Sequence, residues 1–476
     1  MRGGLAPCTR PGVRVSAWTV PHAYYPVTAS DRSPGLSLVT FNPTQMSHRS
    51  RTTRVALASL LLLAGCGAGT EPTEVVVVPP PVTIVRSTAR LPMVSITTAS
   101  GTEIVSKQVW VTATMTLTDS LGATAMQGAI DIRGRGNTTW DMPKKPYRVR
   151  LVTSTSLLGM PANRHWVLLA NYSDKTLLRN DLSFAMSRMA GMAWTPRSRD
   201  VDVQVNGRYQ GIYQLVEHIR IGTDRVNITA MRVTDTSATN VTGGYLLEVD
   251  ERRGEAFCFN SSMTRMVFCA NDPETLLQPG WEKQRAYITN YIARTDSAIF
   301  GAGFADPATG YAAFIDVESA INYNIVQEVV KNVDGALRFS GFMHKPRGGK
   351  LTFGPVWDFD LALGNVNYDG ADLTSGWHSR NAQWYTRLFQ DPAFRARFTA
   401  RWNELKAAGA IDSLQKMVFA RSNYLNIVQV RNFERWPILG TYVWPNRVVT
   451  GSYDGEVIAM NGWLMDRIRW MDGAIR

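Results

Sequence analysis

The sequence predicts an α+β chain, with a first half rich in antiparallel sheet and a second half that is mostly helical. Three observations carry this. Between about residues 91 and 250 apolar residues recur with period two, the spacing of a half-buried strand. Asn206-Gly207 separates two such runs and is a strong hairpin turn. From Asp316 onward the period changes to that of a helix, behind residues that cap helices well. With 45% apolar and 19% charged residues, a mainly disordered chain is excluded.

The N-terminal stretch reads differently. Met46 opens a second start, followed by Arg49, Arg51 and Arg54 and by the nine-residue apolar run Val55–Leu63. That run is too short to span a bilayer and has the length of a signal-peptide core. It ends in Leu63-Ala64-Gly65-Cys66, which resembles a bacterial lipobox. Residues 1–65 are therefore expected to be an upstream segment plus a lipoprotein signal peptide. Residues 66–90, with Pro79 to Pro81, are expected to be a lipid-anchored Pro-rich spacer. The expected location is extracytoplasmic, on the periplasmic or outer-surface side, with Cys66 as the membrane attachment.

This division changes the meaning of the charge. The chain carries a net charge of +12, a balance that suits nucleic acid or an anionic surface. The first 65 residues hold seven Arg and one Asp. Without them 44 basic residues face 38 acidic ones, a net charge of +6 on about 410 residues. No nucleic-acid partner is expected.

Within residues 91–476, Ile130-Asp131-Ile132, Tyr147–Leu151 and Val201, Val203 and Val205 read as strands. Arg208–Glu217 and Gly244–Asp250 read as two more. Asp174–Met189 reads as a helix with Leu178, Leu182, Ala185, Met186 and Met189 on one face. Asp316 caps a helix carrying Val317, Ile321, Ile325 and Val329. Asp391-Pro392 is an N-cap and first-turn pair, with Phe394, Phe398, Trp402 and Leu405 as a core stripe behind it. Cys258 and Cys269 remain as a pair in an oxidising compartment. A disulfide and two buried thiols are both open to them.

Four places hold residues suited to chemistry. Arg133-Gly134-Arg135-Gly136-Asn137 combines two glycines, which let a backbone approach an anion, with two guanidinium groups that suit phosphate. An ordinary turn explains the glycines equally well. Lys144 and Lys145 follow, and Lys145 shares strand parity with Tyr147, Val149 and Leu151. Asn332-Val333-Asp334 lies beyond a helix end, where no helix dipole favours a carboxylate, which makes Asp334 a candidate base. Trp357-Asp358-Phe359-Asp360 places two carboxylates on one face if the stretch is extended, and an oxygen-seeking divalent cation would reconcile them.

Taken in order, these stretches resemble the CotH family, known from spore-coat proteins and recognised as atypical secreted protein kinases. The resemblance lies in RGRGNTTW…PKKPYRVRL (133–151), HWVLLANYSDKTLLRN (165–180), VNGRYQGIYQLVEHI (205–219), GGYLLEVD (243–250), NVDG (332–335) and GPVWDFDLALGN (354–365). It implies an atypical protein-kinase-like two-lobed fold, with an N-lobe of about 91–250 and a C-lobe of about 251–476. It implies phosphorylation of Ser or Thr hydroxyls on surface proteins, using ATP and Mg or Mn. On it, Asp334 is the catalytic aspartate and Asp358 the metal ligand, with Asp360 and Asn332 as further ligands. Arg133, Gly134, Arg135, Gly136, Asn137, Lys144, Lys145 and Trp357 are expected around the nucleotide. Either Glu217 or Glu248, each at a strand end, would pair with Lys145, and the choice between them is open. The asparagine that ordinary protein kinases place five residues after the catalytic aspartate is replaced by Phe339. Two other readings use the same residues: a non-catalytic surface binding protein on a kinase-like fold, rich in Trp and Tyr, and a glycoside hydrolase using Asp334 with Asp358 or Asp360.

Overall fold

The alternating runs of the first half close into a barrel. The computed structural model describes residues 90–475. The expected signal-peptide core, Cys66 and the Pro-rich spacer lie outside the described residues. Seven strands build the barrel: β1 (Met93–Thr98), β2 (Val111–Thr118), β3 (Thr124–Gly134), β4 (Tyr147–Leu157), β5 (Met160–Leu169), β6 (Ser198–Val205) and β7 (Arg208–Glu217). Their order is β1-β2-β3-β4-β5-β7-β6, and β6 returns parallel to β1 to close it. The period-two residues point inward as one core, including Ile130, Ile132, Tyr147, Val149, Leu151, Val201 and Val203. A single helical turn, α1 (Thr138–Asp141), lies between β3 and β4, and α2 (Arg179–Met189) between β5 and β6.

The helix expected from Asp174 begins at Arg179. The Asp174 carboxylate accepts the N–H groups of Thr176 at 3.0 Å and Arg179 at 2.9 Å, so residues 174–178 form a capping turn. The barrel ends at Glu217, and β8 (Tyr245–Val249) joins a second sheet with β9 (Cys258–Asn260), β10 (Val267–Asp272), β11 (Gly341–Lys345) and β12 (Thr352–Phe353). The hydrophobic pattern of β8 marks it as a strand; its partners come from residues up to a hundred positions later.

Six further α-helices follow among the described residues: α3 (Glu282–Phe300), α4 (Val317–Val330), α5 (Gln383–Leu388), α6 (Pro392–Ala407), α7 (Ala410–Arg435) and α8 (Tyr453–Ala474). Asp316 caps α4 by accepting Ser319 N–H at 2.8 Å, and Asp391 caps α6 by accepting Ala393 N–H at 2.8 Å. Phe394, Phe398, Trp402 and Leu405 are buried in the larger core with most of α4 and the second sheet. Cys258 and Cys269 face each other on paired positions of β9 and β10 and form a disulfide. Among the described residues no helix is long and apolar enough to cross a membrane.

Helix α7 is tied to the barrel by charge. Arg431 pairs with Asp202 at 3.1 Å, and Arg421 pairs with Asp200 and Asp181. The Asn432 side-chain oxygen accepts from Ile212 N–H at 3.0 Å and from Lys144 Nζ at 2.9 Å. With the barrel held this way, the end of β3, the start of β4 and the chain leaving β7 border a cleft that the second sheet and the residues after α4 complete.

Candidate active site

The cleft has a volume of about 440 Å³ and brings together residues from several separate stretches of chain. The barrel contributes Arg133 to Thr139, Arg148 and His218. Strand β8 and the loop after it contribute Glu248, Asp250, Arg252 and Glu255. Asp334 and Ser340 come from the loop after α4, and Trp357, Asp358 and Asp360 from the loop after β12. Among the residues singled out in the sequence, Arg133, Gly134, Arg135, Gly136, Asn137, Glu248, Asp334, Trp357, Asp358 and Asp360 therefore share one cavity.

The glycines of the first motif answer to packing. A Cβ on Gly134 would sit 2.3 Å from the Trp140 ring. Gly136 has φ +86°, and a Cβ there would meet Thr139 Oγ1 at 2.2 Å. The N–H groups of Gly134 and Arg135 already donate to the carbonyls of Ser106 and Pro146. The turn's contribution to an anion is therefore chiefly its side-chain charge. Arg135 lies over the Trp357 ring at 5.4 Å and faces Asp358, Glu248 and Asp360. Arg133 turns the other way, over Trp110 at 4.6 Å, beside Arg148 on the paired position of β4.

The carboxylates crowd the opposite wall. Burial pushes Asp360 up to about 8, and the neighbouring Asp358 and Asp334 push the same way. Glu248 is raised to about 8 by burial and by Asp250, Glu255 and Asp358, against the pull of Arg135. Asp334 is raised to about 6 by burial and Asp358, while Arg252, whose Nη2 lies 3.5 Å from Asp334 Oδ2, opposes the rise. Asp358 accepts from Ser340 Oγ at 3.0 Å. The extended geometry expected for 358–360 is absent: Asp358 has φ +68°, and the chain reaches the cleft as a loop.

The expectations for the two lysines and their carboxylate partner are corrected. Lys145 does not share the face of Tyr147, because β4 starts only at Tyr147; its Nζ donates to the Trp140 carbonyl at 2.6 Å, and it does not line the cleft. Neither candidate carboxylate pairs with it. Glu217 is buried against Arg197 at 2.9 Å and Arg225 at 3.9 Å, away from the cleft, whereas Glu248 faces Arg135. Lys144 is buried beneath α7, where it donates to the Ile212 carbonyl and to Asn432. Asn332 supports the site from behind, donating to the Asp358 carbonyl at 3.2 Å and accepting Asp334 N–H at 3.3 Å.

Several lining residues were not anticipated. Lys107 reaches in from the chain before β2 and donates to the Gly136 carbonyl at 3.0 Å. Arg148 and His218 lie on the barrel's outer side, and Arg252 follows β8. Arg148 alternates with Tyr147 and Val149, which points it out of the barrel interior, and that parity is the one signal the sequence carries. That its face borders a cleft depends on the packing of the second sheet.

For a divalent ion the donor set is sparse but suitable. Among the described residues no three His, Cys, Asp or Glu side chains are placed together to hold a metal. Asp358 and Asp360 offer two carboxylates, which is what a Mg²⁺-type ion takes when water and phosphate oxygens complete its six ligands. Their crowding is what a cation would relieve, and the facing arginines suit the phosphates.

A family model described as "CotH kinase protein" matches residues 132–471, most of the chain and all of the cleft lining except Lys107 and Gln108. A search of the curated proteins finds no match.

Proposed function

We propose, since the chain belongs to the CotH kinase family, that it transfers a phosphoryl group from a nucleoside triphosphate, ATP in the first instance, to a Ser or Thr hydroxyl of a protein. The observation that carries this is Arg135, which faces Asp358, Glu248 and Asp360 in a cavity that Asp334, Arg133 and Arg148 also line. Carboxylates on one wall suit a metal ion and a base; guanidinium groups on the other suit phosphate oxygens. That fixed positive charge is superfluous for a neutral sugar, so phosphoryl transfer fits better than glycoside hydrolysis.

Asp358 and Asp360 would hold Mg²⁺ or Mn²⁺, which when bound neutralises charge on the transferring phosphates. Arg135, seated on Trp357, holds phosphate oxygens opposite them, with Arg133, Arg148 and Lys107 along the same wall. Asp334 orients the acceptor hydroxyl and takes its proton. Its raised proton affinity brings a carboxylate closer to the range where it acts as a base near neutral pH. Asn332 and Ser340 fix the two aspartates they touch. Positioning and charge supply most of the rate.

The test is incubation of the purified protein with labelled ATP and Mn²⁺ or Mg²⁺, beside Asp334→Ala and Asp358→Ala. Label on wild type or on an added protein, lost in both variants, is expected; no transfer and no nucleotide binding by wild type overturns the reading. The lipobox reading of Cys66 places this activity outside the cytoplasm. Cys66→Ser should then move the protein from the membrane to the soluble fraction, and retention on the membrane contradicts the anchor.

A further inference from the structure

Protein kinases that use two divalent ions hold the second with an asparagine five residues after the catalytic aspartate. Five residues after Asp334 stands Phe339, whose side chain has no ligand atom. The structure puts a permanent charge on that ring instead. The Arg252 guanidinium lies 4.2 Å from the Phe339 centroid, 3.5 Å from Asp334 Oδ2 and 3.4 Å from Asp250 Oδ2, and it lines the cleft.

Arg252 is held there from both sides. Its own N–H donates to Asp250 Oδ1 at 2.7 Å. The neighbouring Glu251 receives Arg338 Nε at 2.8 Å and donates its N–H to the Arg338 carbonyl at 3.1 Å. Arg338 shares the Phe339 ring at 4.8 Å. A few residues later the chain enters β9, stapled to β10 by Cys258–Cys269. The segment from Asp250 to Cys258 is thus fastened at both ends.

We propose that Arg252 supplies the positive charge that a second divalent ion supplies in two-metal kinases, so that Asp358 and Asp360 serve a single ion. Arg252 breaks no bond and moves no proton. It offsets the charge of Asp334 and Asp250 and presents its remaining N–H donors to the phosphates, where a preset charge stabilises the transition state without reorganising. The proposal rests on the phosphoryl-transfer reading.

The test counts ions first. Mn²⁺ bound to the purified full chain, saturated with a non-hydrolysable ATP analogue, is titrated by electron paramagnetic resonance. One Mn²⁺ per chain is expected, in wild type and in Arg252→Lys. Two in wild type overturns the proposal and leaves the kinase reading standing; no Mn²⁺ and no nucleotide bound counts against both. Kinetics follow. Arg252→Gln should lower kcat by roughly 10²–10³ while the KM for nucleotide stays within about threefold, the signature of an interaction made in the transition state. Arg252→Lys, which keeps the charge, should recover part of that loss. Unchanged transfer in Arg252→Gln, or a rise in KM alone, contradicts the role. If Arg252→Gln does not fold, the ion count and Arg252→Lys decide the question.

Discussion

Two buried charged regions of this molecule are built on opposite principles. Glu328 of α4 and Arg467 of α8 are both 0% exposed and 2.6 Å apart. Every need of that pair is met: Glu328 accepts the N–H groups of His378 and Arg380, and Arg467 donates to the carbonyls of Glu328, Thr374 and Gly376. In the cleft, Asp360, Glu248 and Asp334 all crowd Asp358, and each is raised above the ordinary carboxylate range. The first region is complete without a ligand and fixes how two helices meet. The second has more negative charge than its arginines offset at close range, the condition a divalent cation relieves. Satisfied charge marks architecture here, and crowded charge marks the site.

The contrast breaks most visibly at the complete pair. Arg467→Leu should destabilise the fold by about 3–5 kcal/mol, because it leaves the buried Glu328 charge uncompensated. Chemical denaturation measures this, and a loss under about 1 kcal/mol would show that the pair is not structural.

A second effect separates the regions by pH. Glu248 and Asp360 titrate near 8 in the fold and near 4 when unfolded. Between those values the folded state binds more protons, so these groups make stability fall as pH rises from about 4 to about 8. The midpoint of denaturation without divalent ions should drop between pH 5.5 and 8.5, less so in Glu248→Gln, and Mn²⁺ should restore it at the higher pH. A midpoint that rises with pH in wild type and Glu248→Gln alike contradicts the crowding.

The smallest effect concerns lysines outside the cleft. Lys145→Ala should leave phosphotransfer within about threefold of wild type, whereas Arg135→Ala should lose roughly 10². Equal losses would return Lys145 to the nucleotide.

The same contrast explains what could be read from the chain. The caps at Asp316 and Asp391 and the inward residues of the barrel were legible, because each depends on neighbours a few positions away. Asp334, Asp358 and Asp360 drew notice as carboxylates among apolar residues, and the structure brings them into one cavity. Lys145 misled because parity holds only inside a strand, and β4 begins two residues later. Glu217 and Lys144 are functional-looking charges spent on structure, against Arg197 and beneath α7. Arg148 and Arg252 entered the site through long-range packing of barrel, second sheet and loops, which local periodicity does not encode. Asp358 reached the cleft through a left-handed turn and not along a strand face.

The central claim is that the crowded carboxylates await a nucleotide-bound metal. Calorimetric titration of an ATP analogue into wild type and Asp358→Asn, each with and without Mn²⁺, tests it most directly. Wild type should bind the analogue at least about tenfold more tightly with Mn²⁺ present, and Asp358→Asn should lose that gain while remaining as stable as wild type. Binding that is indifferent to Mn²⁺, or a metal dependence that survives Asp358→Asn, would contradict the account.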